Sequence, residues 1–128
     1  ETAMNSIAIE ESKNGQLIAE VYTALNSLDA NKLGDFFSDD ATLVSLNDSV
    51  SPMEGKPTIV EFFAGFYAQA KNVNFELICT PVAMGNMVTF KHIDHFEVDG
   101  VQRDDHYVSV VLIVDGRVKK WLGYMQDV

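Results

Sequence analysis

Residues 86–125, "NMVTFKHIDHFEVDGVQRDDHYVSVVLIVDGRVKKWLGYM", decide the fold. The stretch carries two Asp-Gly pairs, Asp99-Gly100 and Asp115-Gly116, each set between runs rich in β-branched and aromatic residues. Two-residue type I′ turns need positive φ at both central positions, which Asp-Gly supplies at little steric cost. The spacing predicts strands over 86–98, 101–114 and 117–125. A run over 74–83 precedes them, completing a four-strand antiparallel meander.

Working back from the meander, the pattern changes period. Leu17, Ile18, Val21, Tyr22, Leu25 and Leu28 recur at three and four, a helical stripe over 14–28. Asp29 suits the N-cap of a short helix reaching to Phe37. A strand over 42–47 follows, and then "DSVSPMEGKP", a loop by its Ser, Pro and Gly content. Pro57 fits the first turn of a helix running to Gln69, with Ile59, Phe62, Phe63, Phe66 and Tyr67 on one side. Helix, helix, strand, helix and meander imply an α+β fold, three helices against a strongly curved, mostly antiparallel sheet. Such a cone encloses a cavity, the usual place for a small ligand.

The 128 residues suit one domain, 1–128, with 1–12 expected as a loosely packed N-terminal segment. Glu1-Thr2-Ala3 ahead of Met4 are set aside from fold reasoning, Met4 being read as the natural start. Net charge is −10, with nine Lys and Arg against nineteen Asp and Glu. A nucleic-acid binder needs a basic face, so this balance argues against nucleic acid and against docking on anionic lipid. No apolar run reaches the roughly 18 residues that a membrane span needs. The single cysteine, Cys79, permits no internal disulfide and no cysteine-based metal centre, which fits the cytoplasm.

Chemistry concentrates on one strand face. Read alternately, 88–98 places Val88, Phe90, His92, Asp94, Phe96 and Val98 on one side. A histidine and a carboxylate interrupt an apolar row. With a two-residue turn at Asp99-Gly100, Asp94 falls opposite Asp105, His92 opposite Tyr107, and Phe96 opposite Arg103. The cavity wall would then hold His92, Asp94, Tyr107 and Asp105, with Ser109 deeper. A carboxylate beside an imidazole is an acid–base pair, and either group tuned toward neutral pH could move a proton. The same two groups could equally satisfy one another as a structural pair. His95 falls on the opposite face from His92, so no metal-ligand triad is expected.

The segments "VYTALNSLDANKLGDFFSDDATL", "EGKPTIVEFFAGFY", "FKHIDHF" and "VDGRVKKWLGYM" give the chain, over about 14–126, a resemblance to the nuclear transport factor 2-like superfamily. That superfamily includes SnoaL-like polyketide cyclases, ketosteroid isomerases and limonene epoxide hydrolases. The resemblance implies a cone-shaped, cystatin-like roll. Limonene epoxide hydrolases carry Arg-x-Asp where this chain has His92-Ile93-Asp94. Their second aspartate falls on Gly123, as does the acid–base aspartate of the cyclases. Their water-holding Tyr and Asn fall on Leu43 and Ser45. The ketosteroid isomerase base falls on Ser45 and the oxyanion-hole aspartate near Val110. Asp94, with His92 beside it, is what remains. Strict pairing through Asp115-Gly116 points Leu122 and Tyr124 inward, whereas the resemblance points Trp121 and Gly123 inward. A β-bulge would reconcile them.

These readings lead to a cofactor-free isomerase, cyclase or hydrolase acting on a mostly apolar carbonyl compound or epoxide. Asp94, His92 and Tyr107 are its expected catalytic residues, with Tyr22 an alternative hydroxyl donor. Tyr22, Phe63, Phe90, Phe96, Asp105, Ser109 and Trp121 are its expected substrate contacts, and no metal or cofactor is expected. The rival is a non-catalytic ligand-binding or dimerisation module. Ile93, His106, Val108 and Leu122 must face outward if His92 and Asp94 face inward, so a homodimer covering that outer face is expected.

Overall fold

The computed structural model describes residues 3–128, with side chains from residue 5; Glu1 and Thr2 lie outside the described residues. The elements run α1 (Ala3–Asn26), α2 (Ala30–Gly34), β1 (Phe37–Leu46), β2 (Met53–Glu54), α3 (Lys56–Gln69), β3 (Lys71–Leu77), β4 (Val82–Met84), β5 (Met87–Val98), β6 (Val101–Val114) and β7 (Arg117–Met125). Three helices thus pack on a mixed, mostly antiparallel sheet. Its strand order is β2-β1-β7-β6-β5-β3, with β4 paired to β5. Among the described residues only the β1–β7 pair is parallel.

Both Asp-Gly turns form as their chemistry requires. Asp99 and Gly100 have φ of 53° and 78°, and Asp115 and Gly116 have 51° and 73°. The first turn fixes the β5–β6 register: Asp94 faces Asp105, His92 faces Tyr107, and Phe96 faces Arg103. In the second hairpin Ile113 pairs with Val118, but Leu112 pairs with Lys120. Lys119 is the extra residue, a bulge that reverses every later side chain of β7. Trp121 is buried, whereas Leu122 and Tyr124 are 44% and 52% exposed. The inward pair is therefore Trp121 and Gly123, and the strict-pairing alternative is excluded.

Other boundaries shift for local reasons. The helix expected over 14–28 begins at Ala3 and ends at Asn26. Residues 5–10 are exposed, so they carry no apolar stripe to announce the added turns. Leu28 lies beyond the helix, exposed, with φ of 60°. Asp29 does cap α2, accepting from the N–H groups of Asn31 and Lys32, but α2 stops at Gly34 and β1 begins at Phe37. The expected strand 74–83 is two, β3 and β4, interrupted before Pro81, which has no N–H for a ladder. The loop after β1 contains the short strand β2, paired with β1.

The core lies between the helices and the concave side of the sheet. Ile18, Val21 and Leu25 of α1, Leu33 of α2 and Ile59 of α3 meet Phe37, Val88, Phe90, Val111, Ile113 and Val118. Three side chains of α1 pin the edges of the layer. Asn26 Nδ2 donates to the carbonyl of Phe75 at 2.9 Å and its Oδ1 accepts from the Phe75 N–H at 2.7 Å. Asn14 and Glu11 of α1 do the same for Gly85, at 3.0 and 2.7 Å. Tyr67 of α3 donates to the carbonyl of Leu25 at 2.8 Å, joining α3 to α1. Burial, with the charge of Asp29 nearby, pushes its phenol up to about 12.

Candidate active site

The helices close one end of the cone and leave a cavity of about 350 Å³ against the concave sheet. Its walls are mainly aromatic and aliphatic: Phe62, Phe63 and Phe66 from α3, Leu43 from β1, Phe75 from β3, Phe96 from β5 and Trp121 from β7. The α3 stripe found in the sequence thus lines the cavity more than it fills the core. Only Ile59 of that helix is fully buried.

His92 and Asp94 project from the middle of β5 into this wall. His92 Nδ1 lies 2.9 Å from Asp94 Oδ1, and Nε2 lies 2.7 Å from Ser109 Oγ. Trp121 Nε1 donates to the same Ser109 Oγ at 3.2 Å. The chain of contacts runs from Trp121 on β7 through Ser109 on β6 to His92 and Asp94 on β5. The bulge at Lys119 makes it possible by turning Trp121 inward. The His92 ring is buried, whereas the Asp94 side chain is 19% exposed. Both imidazole nitrogens are engaged. Asp94 gives one oxygen to His92 and presents the other to the cavity.

A second group forms at the mouth. Tyr107 Oη donates to Asp48 Oδ2 at 2.6 Å, Ser45 Oγ donates to the same oxygen, and the Val50 N–H donates to Oδ1 at 2.9 Å. Burial works against the Asp48 charge. The donors at Ser45, Tyr107 and Val50, helped by Arg103, more than offset it and hold the carboxyl below its ordinary value. Tyr107 is raised, by burial first and then by its bond to Asp48. Asp105 is held by Arg103, whose Nη2 lies 3.1 and 3.2 Å from its two oxygens. The Arg103 guanidinium also lies 5.9 Å from the centre of the Phe96 ring.

Tyr22 of α1 completes the wall. Its ring meets Phe90, His92 and Trp121 with centroids 5.7, 5.5 and 6.2 Å away. It is 4% exposed, and its hydroxyl has no hydrogen-bond partner among the described residues. Burial, then the charge of Asp94, raises its pKa well above that of an ordinary phenol. Tyr22 keeps its proton and stands as an open donor.

The structure brings together His92, Asp94, Tyr107, Tyr22, Phe63, Phe96, Asp105, Ser109 and Trp121 at one cavity. Phe90 is the exception. It is buried behind Tyr22 and Trp121 and does not line the space, because its rank on β5 lies one step deeper than His92. Asp48 is the residue that sequence reasoning missed. It sits in a loop where an aspartate ordinarily signals a turn, although Ser45, the place of the isomerase base, lies three residues before it. Among the described residues no three His, Cys, Asp or Glu side chains gather as metal ligands.

The family model for the SnoaL-like domain matches residues 18–121. This chain belongs to the SnoaL-like family. No curated protein matches the sequence significantly. Solved structures share the fold of this SnoaL-like domain. An LEH-like epoxide hydrolase of M. tuberculosis has a TM-score of 0.80 at 15% identity, over 91% of this chain and 85% of that one. The BvnE pinacolase of Penicillium brevicompactum has a TM-score of 0.82 at 13% identity, over 91% and 88%. A Catenulispora acidiphila protein of ketosteroid isomerase-like fold, in complex with trimethylamine, has a TM-score of 0.76 at 18% identity, over 84% and 83%. At these identities the likeness is one of fold.

Proposed function

We propose that this SnoaL-like domain is a cofactor-free acid–base enzyme acting on a mostly apolar carbonyl compound. The observation that carries the reading is Asp94, which offers one unshared carboxylate oxygen to an apolar cavity that also holds the unpartnered Tyr22 hydroxyl. Asp94 removes a proton from the carbon next to the carbonyl. The C–H electron pair forms the enolate, and the negative charge collects on oxygen. Tyr22 donates a hydrogen bond to that oxygen. In a β,γ-unsaturated substrate the enolate extends over the double bond, and Asp94 returns the proton to the γ carbon, completing an isomerisation with no atom gained or lost. Tyr107 suits the donor role less well, because its proton is committed to Asp48. Proton transfer by a positioned group is worth about 10²–10⁴ in rate. An epoxide could use the same base to activate water, and a fold neighbour named as an epoxide hydrolase keeps that substrate class in the screen.

The test is deuterium exchange next to the carbonyl in a panel of apolar ketones, followed by NMR in deuterium oxide, with hydration of epoxides assayed alongside. Exchange that Asp94→Asn abolishes supports the reading; no turnover across both panels removes it. A ligand-binding module without turnover is the second reading. The double partnering of His92 favours it, because a fully satisfied imidazole is also what a structural pair needs. A compound retained equally by wild type and Asp94→Asn, without conversion by either, selects that reading.

The same proposal includes a two-fold homodimer through the outer sheet face. Val44, Ile93, Val108 and Val110 are half-buried there, and Leu46, Leu122 and Tyr124 are exposed. An apolar face of this extent is usually covered. Sedimentation showing only a species of the 14.2 kDa chain mass at micromolar concentration would count against it. No helix of the described residues is long and apolar enough to cross a membrane. The one free thiol, exposed at Cys79, is consistent with a cytoplasmic home.

A further inference from the structure

Ser109 is 1% exposed, and its Oγ has two polar neighbours, Trp121 Nε1 at 3.2 Å and His92 Nε2 at 2.7 Å. An indole nitrogen only donates. Trp121 therefore uses a lone pair of Ser109 and cannot receive the serine proton. A buried hydroxyl proton without an acceptor is disfavoured, and the acceptor within reach is His92 Nε2. That nitrogen must then be unprotonated. The ring proton belongs on Nδ1, 2.9 Å from Asp94 Oδ1, where a carboxylate accepts it.

We infer that Ser109, its hydroxyl oriented by Trp121, is a positioning residue that holds His92 as the neutral imidazole with its proton on Nδ1, so that Asp94 receives a neutral hydrogen bond and not an ion pair. The groups around the ring were weighed from each side. Asp94 on β5 favours a charged imidazole. Tyr22 from α1 and Tyr107 from β6 are held protonated, and Asp105 on β6 is balanced by Arg103. Leu77, the β3 neighbour of His92, and Trp121 from β7 carry no charge. Burial of the ring and the proton donated by Ser109 oppose the charge that Asp94 favours. A neutral donor also leaves a carboxylate a stronger base than an imidazolium would. The tautomer holds whether or not Asp94 turns over a substrate, so it is tested without one.

The experiment is a multiple-bond ¹⁵N–¹H correlation spectrum of histidine-labelled protein. His92 is picked out from the three histidines by the signals that His92→Gln removes. At neutral pH Nε2 should be unprotonated and Nδ1 protonated. A proton on Nε2, or on both nitrogens, overturns the inference. Ser109→Ala removes the donor, so the single-tautomer pattern should be lost; a spectrum like wild type denies Ser109 its role. Should Ser109→Ala fail to fold, Trp121→Phe tests the same bond from its other side. It removes the indole and leaves the serine proton with Nε2 as its acceptor, so the proton should stay on His92 Nδ1; its transfer to Nε2 overturns the inference.

Discussion

Tyr107 lies face to face with His92, ring centroids 5.2 Å apart and planes 6° from parallel, while its hydroxyl reaches away to Asp48 at 2.6 Å. One side chain thus joins the β5 wall to the loop at the mouth. Its two attachments are separable, because phenylalanine keeps the stack and loses the hydroxyl.

Tyr107→Phe therefore reports on Asp48. The folded-state pKa of Asp48 lies below its unfolded value, despite burial, because of its donors. The stability this contributes is fully present above the unfolded value, about 3.9, and is lost as pH falls through the folded one. Removing one donor narrows the gap. The acid-unfolding midpoint of Tyr107→Phe, followed by circular dichroism, should move to higher pH than that of wild type.

Asp94→Asn separates fold from chemistry. The amide oxygen can still accept from His92 Nδ1–H, and the other side of the group faces the cavity and not packed protein. The expected cost is below about 1.5 kcal/mol, read from the chemical-denaturation midpoint, with loss of any turnover found. His92→Gln should behave similarly, with a smaller loss of activity if the ring only orients Asp94. Unfolding of both variants near room temperature would mark the pair as structural.

Gly123→Ala probes the space that the wall requires. A Cβ there would lie 3.2 Å from Ser109 Oγ and 3.6 Å from Tyr107 Cδ1. Ser109 is fixed between Trp121 and His92 and has little room to yield. The expected loss is about 1–3 kcal/mol, the usual range for overpacking. Thermal unfolding checks it, and a rise in the melting temperature would contradict it.

His95 gives a pH signature on the outer face. Its nitrogens lie 2.6 Å from Asp104 Oδ1 and 2.8 Å from Glu76 Oε1. Those bonds, to Asp104 first and Glu76 second, raise its pKa. The stability it contributes is fully present below the unfolded value, about 6.5, and is lost as pH rises through the higher folded value. Stability measured from about pH 6 to pH 8 should fall less steeply in His95→Gln than in wild type.

Much of the site was legible because strand chemistry is local. Alternation alone placed His92 and Asp94 on one face, and Asp99-Gly100 set Tyr107 and Asp105 opposite them. The bulge at Lys119 was required but could not be located, because nothing in "GRVKKWLG" distinguishes the extra residue until it is seen unpaired between Val118 and Lys120. Asp48 was invisible for another reason. Its bond to Tyr107 spans a separation of 59 residues, and a loop aspartate looks like an ordinary turn residue until the chain is closed. Phe90 was misplaced because alternation gives a side and not a depth.

Asn26 ends the sheet as well as tying α1 to it. β3 is the outermost strand on its side, and strands in that position can recruit a strand from another molecule. The Asn26 amide already occupies both backbone groups of Phe75, in the middle of β3. An incoming chain would have to break two short bonds and displace the end of a helix before gaining its first pair there. The side chain that fastens the helix is thus also a guard against cross-β aggregation, at the point where the sheet would otherwise stay open to growth.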